Sequence, residues 1–241
     1  MMKIVIVHYN TPRLTIALLA SLAKNGIDKD IIVFENSDYK PLDALDMFDY
    51  DLLDNTNGQI INFTSEIKQL NAENNMTPTR INYEMNGVRY GSVKHALTIQ
   101  WLIEKMNEDF FLLDSDILIK KDFRHVADNK QMFVGDCTTY RVLPFLLYLN
   151  PKLLLSNNIK FFDRRNIHPF CLGPTNDTGG SFFRECQTFG KDFRILNLND
   201  YYVHYGSGSW REFFTRDKSW YQSNQNIDAM TFLRINKQLF M

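Results

Sequence analysis

Apolar residues fall in short runs along the first half of the chain, and the runs alternate between two periods. KIVIVHY (3–9) is rich in β-branched residues and predicts a strand. NTPRLTIALLASLAKNG (10–26) follows with a helical period, Thr11 placed to cap it, Pro12 at the first helical position and Gly26 to close it. DIIVFENSD (30–38) returns to a strand that ends in a polar cluster. Strand, helix and strand in this order predict a parallel βαβ unit, with the carboxyl ends of both strands on one edge. GSVKHALTIQWLIEKM (91–106) predicts a helix opened by Ser92, with Ala96, Ile99, Ile103 and Met106 along one stripe. It leads into EDFFLLDSDILIKK (108–121), where Phe110-Phe111-Leu112-Leu113 predicts a strand buried on both faces.

Elsewhere the pattern weakens. Residues 39–78 are rich in Asp and Asn, and Asn57-Gly58 within 50–63 is a turn signal that predicts a small hairpin insertion. RINYEM (80–85) predicts one more strand. Four βα-like elements before residue 120 predict an α/β fold with a mostly parallel central sheet flanked by helices, and such sheets bind ligands at their carboxyl edge. After residue 140 the texture changes to aromatics, arginines, prolines and glycines. VLPFLLYL (142–149) reads as a buried segment, the alternative being contact with a membrane surface, and ILNLNDYYV (195–203) reads as strand-like. No Gly/Ser- or Pro-rich linker divides the chain, so a single domain over 1–241 is expected.

Composition narrows the function classes. With 44% apolar residues the chain can bury a sizeable core, and a formal charge of −1, from 27 basic and 28 acidic residues, excludes a nucleic-acid binder that relies on bulk charge. Cys137, Cys171 and Cys186 are too scattered for a zinc knuckle and odd in number for a disulfide framework, which points to a reducing cytoplasm. The apolar run near the first residue is too short for a signal-peptide core, and no stretch approaches the ~20 apolar residues a spanning helix needs.

The chemistry gathers around Asp114 and Asp116 at the end of the buried strand. Like charges so close repel, and burying them costs several kcal/mol unless something neutralises them. Either the pair points into water or a cation sits on it. HYN follows the first strand, EN the second, DSD the buried one, and HYGSGSW (204–210) comes late. In that order the four motifs resemble the nucleotide-sugar glycosyltransferases of the GT-A fold, particularly the family 2 group. The resemblance covers 3–38 and 90–123 and is patchy beyond.

It implies a single GT-A, Rossmann-like domain, with 1–123 binding the nucleotide sugar and 124–241 binding the acceptor and closing the site. It also implies a divalent cation, Mn²⁺ or Mg²⁺, that neutralises the diphosphate leaving group. By resemblance Asp116 is the main metal ligand, and Asp114 faces the donor ribose and sugar or reaches the metal through water. His204 supplies a third metal contact, or is a hydrogen-bonded core histidine. Tyr9 and Glu35 match the base and ribose positions, and Asn10 either joins them or holds the turn into the first helix. Lys94 and His95 stand where family 2 carries an Arg-Asn pair; Lys94 is placed to reach a phosphate, and His95 is equally a core residue. Asp177 in TNDTGG (175–180) is the candidate general base, although Asn176 replaces the first acid of the family's pair and the segment also reads as simple turn chemistry.

The implied activity is metal-dependent transfer of a sugar, from a UDP-sugar or a similar donor, to a hydroxyl of a glycan or lipid-linked acceptor with inversion. The implied setting is polysaccharide biosynthesis in the cytoplasm, at or near the inner face of the membrane. Late aromatics such as Trp210 and Trp220 offer either an acceptor groove or core packing, and Arg164-Arg165 either meets an anionic acceptor or is an exposed basic pair. Three alternatives remain. A haloacid-dehalogenase phosphatase wants Thr or Val where Leu118 stands, and a sugar nucleotidyltransferase wants a Gly-rich basic loop where HYNTPR stands. A non-catalytic carbohydrate- or nucleotide-binding protein of GT-A fold has no use for an intact DSD.

Overall fold

The structure is a computed structural model that describes residues 2–9, 11–36, 90–137, 141–161, 178–180, 182, 193–206 and 229–241; for 35, 90–94, 193 and 195 it describes the backbone alone. The expected hairpin (50–63) and the strand at 80–85 lie outside these residues. β1 (Lys3–His8), α1 (Pro12–Lys24) and β2 (Ile31–Glu35) form the expected βαβ unit, with β1 and β2 parallel from Ile4↔Ile31 to His8↔Glu35. Pro12 sits at the start of α1, where its missing N–H is no loss. Gly26 follows the helix at φ +71°, the left-handed position that favours glycine.

α2 (Tyr90–Lys105) begins slightly before the expected Ser92 cap and feeds β3 (Phe110–Asp114), which pairs parallel with β1. After the turn at Ser115-Asp116 comes β4 (Ile117–Ile119), followed by β5 (Phe133–Cys137), β6 (Val142–Leu149) and α3 (Pro151–Ser156). β7 (Phe193–Ile195), β8 (Tyr202–His204) and α4 (Ala229–Ile235) complete the described strands and α-helices. The main sheet runs β2-β1-β3-β6-β5-β7, and only β6 opposes the common direction. The fold is therefore α/β with a mostly parallel sheet, as expected.

β3 is buried on both faces. Phe110 and Leu112 join Val5, Val7 and the α2 stripe (Ala96, Ile99, Ile103), whereas Phe111 and Leu113 join Ile4, Ile6 and the α1 residues Leu18 and Leu22. Each such side chain contributes about 1.5–3 kcal/mol of burial. That sandwich fixes the strand, and through it the acids at its end.

Three local expectations need correction or sharpening. VLPFLLYL is a buried antiparallel strand, and its Pro144 falls in the gap where β5 bulges between Gly135 and Cys137. A residue without an N–H is tolerated where the ladder is already broken. ILNLNDYYV is not one strand: its first residue ends β7 on the main sheet, and its last residues form β8, which pairs with β4 in a separate two-stranded sheet. β4 likewise leaves the main sheet, so the doubly wound order stops at β3.

Candidate active site

β1, β2 and β3 all end on one edge, bringing His8, the Glu35 backbone and Asp114 into neighbouring registers (His8↔Glu35, Val7↔Asp114). Tyr9, half-buried, continues β1 at that edge. α2 precedes the parallel strand β3, so its first turns, carrying the backbone of Lys94 and the half-buried His95, also lie towards this end. The side chains of Glu35 and Lys94, and all of Asn10 and Asp177, lie outside the described residues.

The turn after β3 is anchored from below by α1. Thr11 occupies the cap position, but its hydroxyl makes no cap bond; Thr11 Oγ1 pairs instead with Ser115 Oγ at 2.7 Å, both side chains being buried. Deeper in the helix, Ser21 Oγ accepts from the Ile119 N–H at 2.9 Å and donates to the Leu18 carbonyl. Thr15 Oγ1 donates to the Thr11 carbonyl and lies 2.7 Å from His8 Nδ1, with which it shares a buried hydrogen bond. These buried bonds hold the Ser115–Ile119 segment against the helix, and small hydroxyl residues on α1 make that close approach possible.

β8 brings the late histidine to the same place. Ile117 pairs with His204, and the Tyr205 N–H donates to the Asp116 carbonyl at 2.9 Å. His204 Nε2 lies 3.1 Å from Asp116 Oδ1, and Asp116 is buried. A carboxylate this close favours protonation of the imidazole, or a cation shared by the two. Burial, followed by the neighbouring Asp116 charge, pushes the Asp114 carboxyl up to about 8; His204 and the Ser115 N–H pull it the other way. The structure thus joins Asp114 and Asp116 to His204, which is far from them in sequence. Among the described residues no three His, Cys, Asp or Glu side chains form a ready metal cage. Two hard carboxylates and an imidazole still fit a hard divalent cation that takes its remaining ligands from phosphate oxygens and water.

Two contacts went unseen in the sequence. Phe145 of β6 stacks on the His204 ring with centroids 3.7 Å apart and an interplanar angle of 29°. Gly179 places its carbonyl 3.3 Å from the Val142 N–H, with φ +87°, and any Cβ there would collide with the Val142 backbone. Val142 lies beyond the Leu113↔Leu146 pair on antiparallel β6, so residues 178–180 of TNDTGG sit at the carboxyl edge. The Asn57-Gly58 type of turn signal cannot reveal such contacts, because they join segments remote in the chain.

No protein-family model matches this chain, and no curated protein matches it in sequence. Among solved structures it is similar to the galactosyltransferase LgtC in complex with donor and acceptor sugar analogs, at 12% identity over 82% of this chain and 74% of that one, with a TM-score of 0.52. It is also similar to the glycosyltransferase GlyE of Streptococcus pneumoniae TIGR4, at 13% identity, 82% of this chain and TM-score 0.46, and spans 46% of that protein's length. Mouse xyloside xylosyltransferase 1 matches over 82% of this chain and 85% of its own, at 9% identity and TM-score 0.48. Among the described residues no helix is long and apolar enough to cross a membrane. The likeness to LgtC shows the architecture: this chain has the GT-A glycosyltransferase fold.

Proposed function

We propose that the protein is a metal-dependent glycosyltransferase that moves a sugar from a nucleoside-diphosphate donor, a UDP-sugar being the leading class, to a hydroxyl of a glycan or lipid-linked acceptor. The observation that carries this reading is the meeting of Asp116 and His204 at 3.1 Å, beside Asp114, at the carboxyl edge of a GT-A sheet. Asp114, Asp116 and His204 would hold Mn²⁺ or Mg²⁺. When bound, such a cation neutralises the charge that grows on the departing diphosphate.

The chain's own residues do the rest. Tyr9 offers a stacking face for the base, while Glu35 and Asn10 accept from base or ribose donors. Lys94 and His95, at the start of α2, meet the phosphates. Asp177 takes the proton from the acceptor hydroxyl as that oxygen attacks the anomeric carbon, and the product has inverted configuration. The anchoring of residues 178–180 to Val142 supports a site near this edge for the segment that follows Asp177. Work on a polysaccharide or lipid-linked glycan at the cytoplasmic face of a membrane fits this chemistry.

The test is a thermal-shift screen of nucleoside diphosphates with and without Mn²⁺, since a ligand bound only by the native state raises the midpoint. A shift that needs both Mn²⁺ and one base class is expected. A panel with no shift, or shifts indifferent to Mn²⁺, overturns the metal-dependent reading. Glu35→Ala is expected to raise the donor KM, and a retained anomeric configuration in the product would remove Asp177 as an inverting base.

A further inference from the structure

His204 is the least constrained of the three candidate ligands by sequence, since it ends a three-residue strand. A metal-binding imidazole needs its ring plane fixed, because the lone pair points along a single in-plane direction. A hydrogen bond donated by the other ring N–H to a carboxylate or carbonyl commonly contributes to this. Here the ring lies face to face with Phe145, 3.7 Å between centroids at 29°, and its Nε2 lies 3.1 Å from Asp116 Oδ1. Phe145 stands immediately beyond the Leu113↔Leu146 pair, so it is the β6 residue beside Asp114. The Tyr202 ring packs edge-on to Phe145 at 6.1 Å and limits its tilt. Half-buried Phe145 thus touches the imidazole at the edge where the acids converge.

We infer that Phe145 is a positioning residue: its ring acts as a platform that holds the His204 imidazole in the plane that aims Nε2 at the cation shared with Asp116. This inference rests on the metal-dependent reading above. A flat aromatic surface restricts rotation about the His204 χ2 torsion without competing for the metal, and an aliphatic side chain of similar volume fills the space without setting the plane.

The test is Mn²⁺ binding to the whole chain, followed by the free-ion signal in electron paramagnetic resonance, with Mn²⁺ alone as the probe. His204→Ala is expected to weaken binding by about 10-fold or more, and Phe145→Leu by about 3- to 10-fold. Phe145→Tyr, which keeps the platform, is expected to bind within about twofold of the parent protein. The discriminating arm is the double variant: in the His204→Ala background Phe145→Leu should change affinity by less than about twofold, because its effect runs through the ring that is gone. Equal weakening by Phe145→Leu in both backgrounds, or parent-like binding by Phe145→Leu, overturns the inference while leaving the metal site standing. Should Phe145→Leu not fold, Phe145→Met carries the same comparison. No Mn²⁺ binding by the parent protein removes the metal reading and the platform together.

Discussion

β3 carries acids at both ends, and the two ends treat them differently. At the amino end, Asp109 accepts a 2.6 Å hydrogen bond from the Tyr148 hydroxyl, and next to it Glu108 pairs with Lys3 at 2.7 Å. Each acid there has a neutral donor or a cation of the protein's own. At the carboxyl end, burial and the neighbouring Asp116 raise the Asp114 carboxyl, while the His204 imidazole and the Ser115 N–H draw it the other way. A fold that partners its acids at one end of a strand and crowds two acids at the other offers, at the second end, a place where a cation would be favoured. On the proposed function, the comparison separates acids that hold the fold from acids that would serve the site.

Breaking the carboxyl end should have the largest effect. Removing groups that merely orient metal ligands typically costs 10–100-fold, so Asp116→Ala, which removes a proposed ligand, is expected to lower transfer by more than about 100-fold. Its midpoint of thermal unfolding in the absence of metal should stay level or rise, since a buried carboxylate beside Asp114 is gone. Asp109→Asn is the matching change at the other end, and there transfer is expected to stay within about twofold. Steady-state kinetics beside a melting curve reads both.

The second effect is on pH. Asp114 is raised from its ordinary 3.8 to about 8, so between those values the native state holds a proton that the unfolded chain has released. Stability of the metal-free protein is therefore expected to fall as pH rises from about 4 to 8, other groups being equal, and Asp114→Asn should flatten that slope. Urea unfolding at a series of pH values in chelator measures it. A slope of the opposite sign in this window, unaltered by Asp114→Asn, would break the contrast between the two ends.

Smaller effects sharpen the contrast. Tyr148→Phe removes the donor to Asp109, and a buried hydrogen bond to a charged group is worth about 1.5–3 kcal/mol, so a loss near the lower figure is expected with activity unchanged. Thr11→Val strips Ser115 of its buried partner and is expected to cost about 1–3 kcal/mol, with weakened Mn²⁺ binding because the turn carrying Asp116 loosens. The Lys3–Glu108 pair is partly exposed, and Lys3→Ala should change stability by about 0–1 kcal/mol.

Much of this was legible from the pattern of residues. The βαβ unit, α2 and β3 lie within a few residues of expectation, since period and breaker residues act locally and the Phe110–Leu113 run admits only a doubly buried strand. DSD and a late histidine were nameable as metal candidates, and the structure brings them together. What escaped is tertiary. Thr11 had the right identity and position for a cap, yet a remote serine took its hydroxyl. ILNLNDYYV looked continuous because composition does not reveal which sheet each half joins. Phe145 reads only as one more apolar residue in VLPFLLYL, and nothing local announces a partner on β8.

The central claim is that the carboxyl end of β3 is built for a cation. Calorimetric titration with Mn²⁺ at pH 7, repeated in buffers of different ionisation enthalpy, tests it directly. Saturable binding with release of a proton is expected, because Asp114 must give up the one it holds below about 8, and Asp116→Ala should abolish that binding. Absence of saturable binding, or identical binding by Asp116→Ala, would contradict the claim.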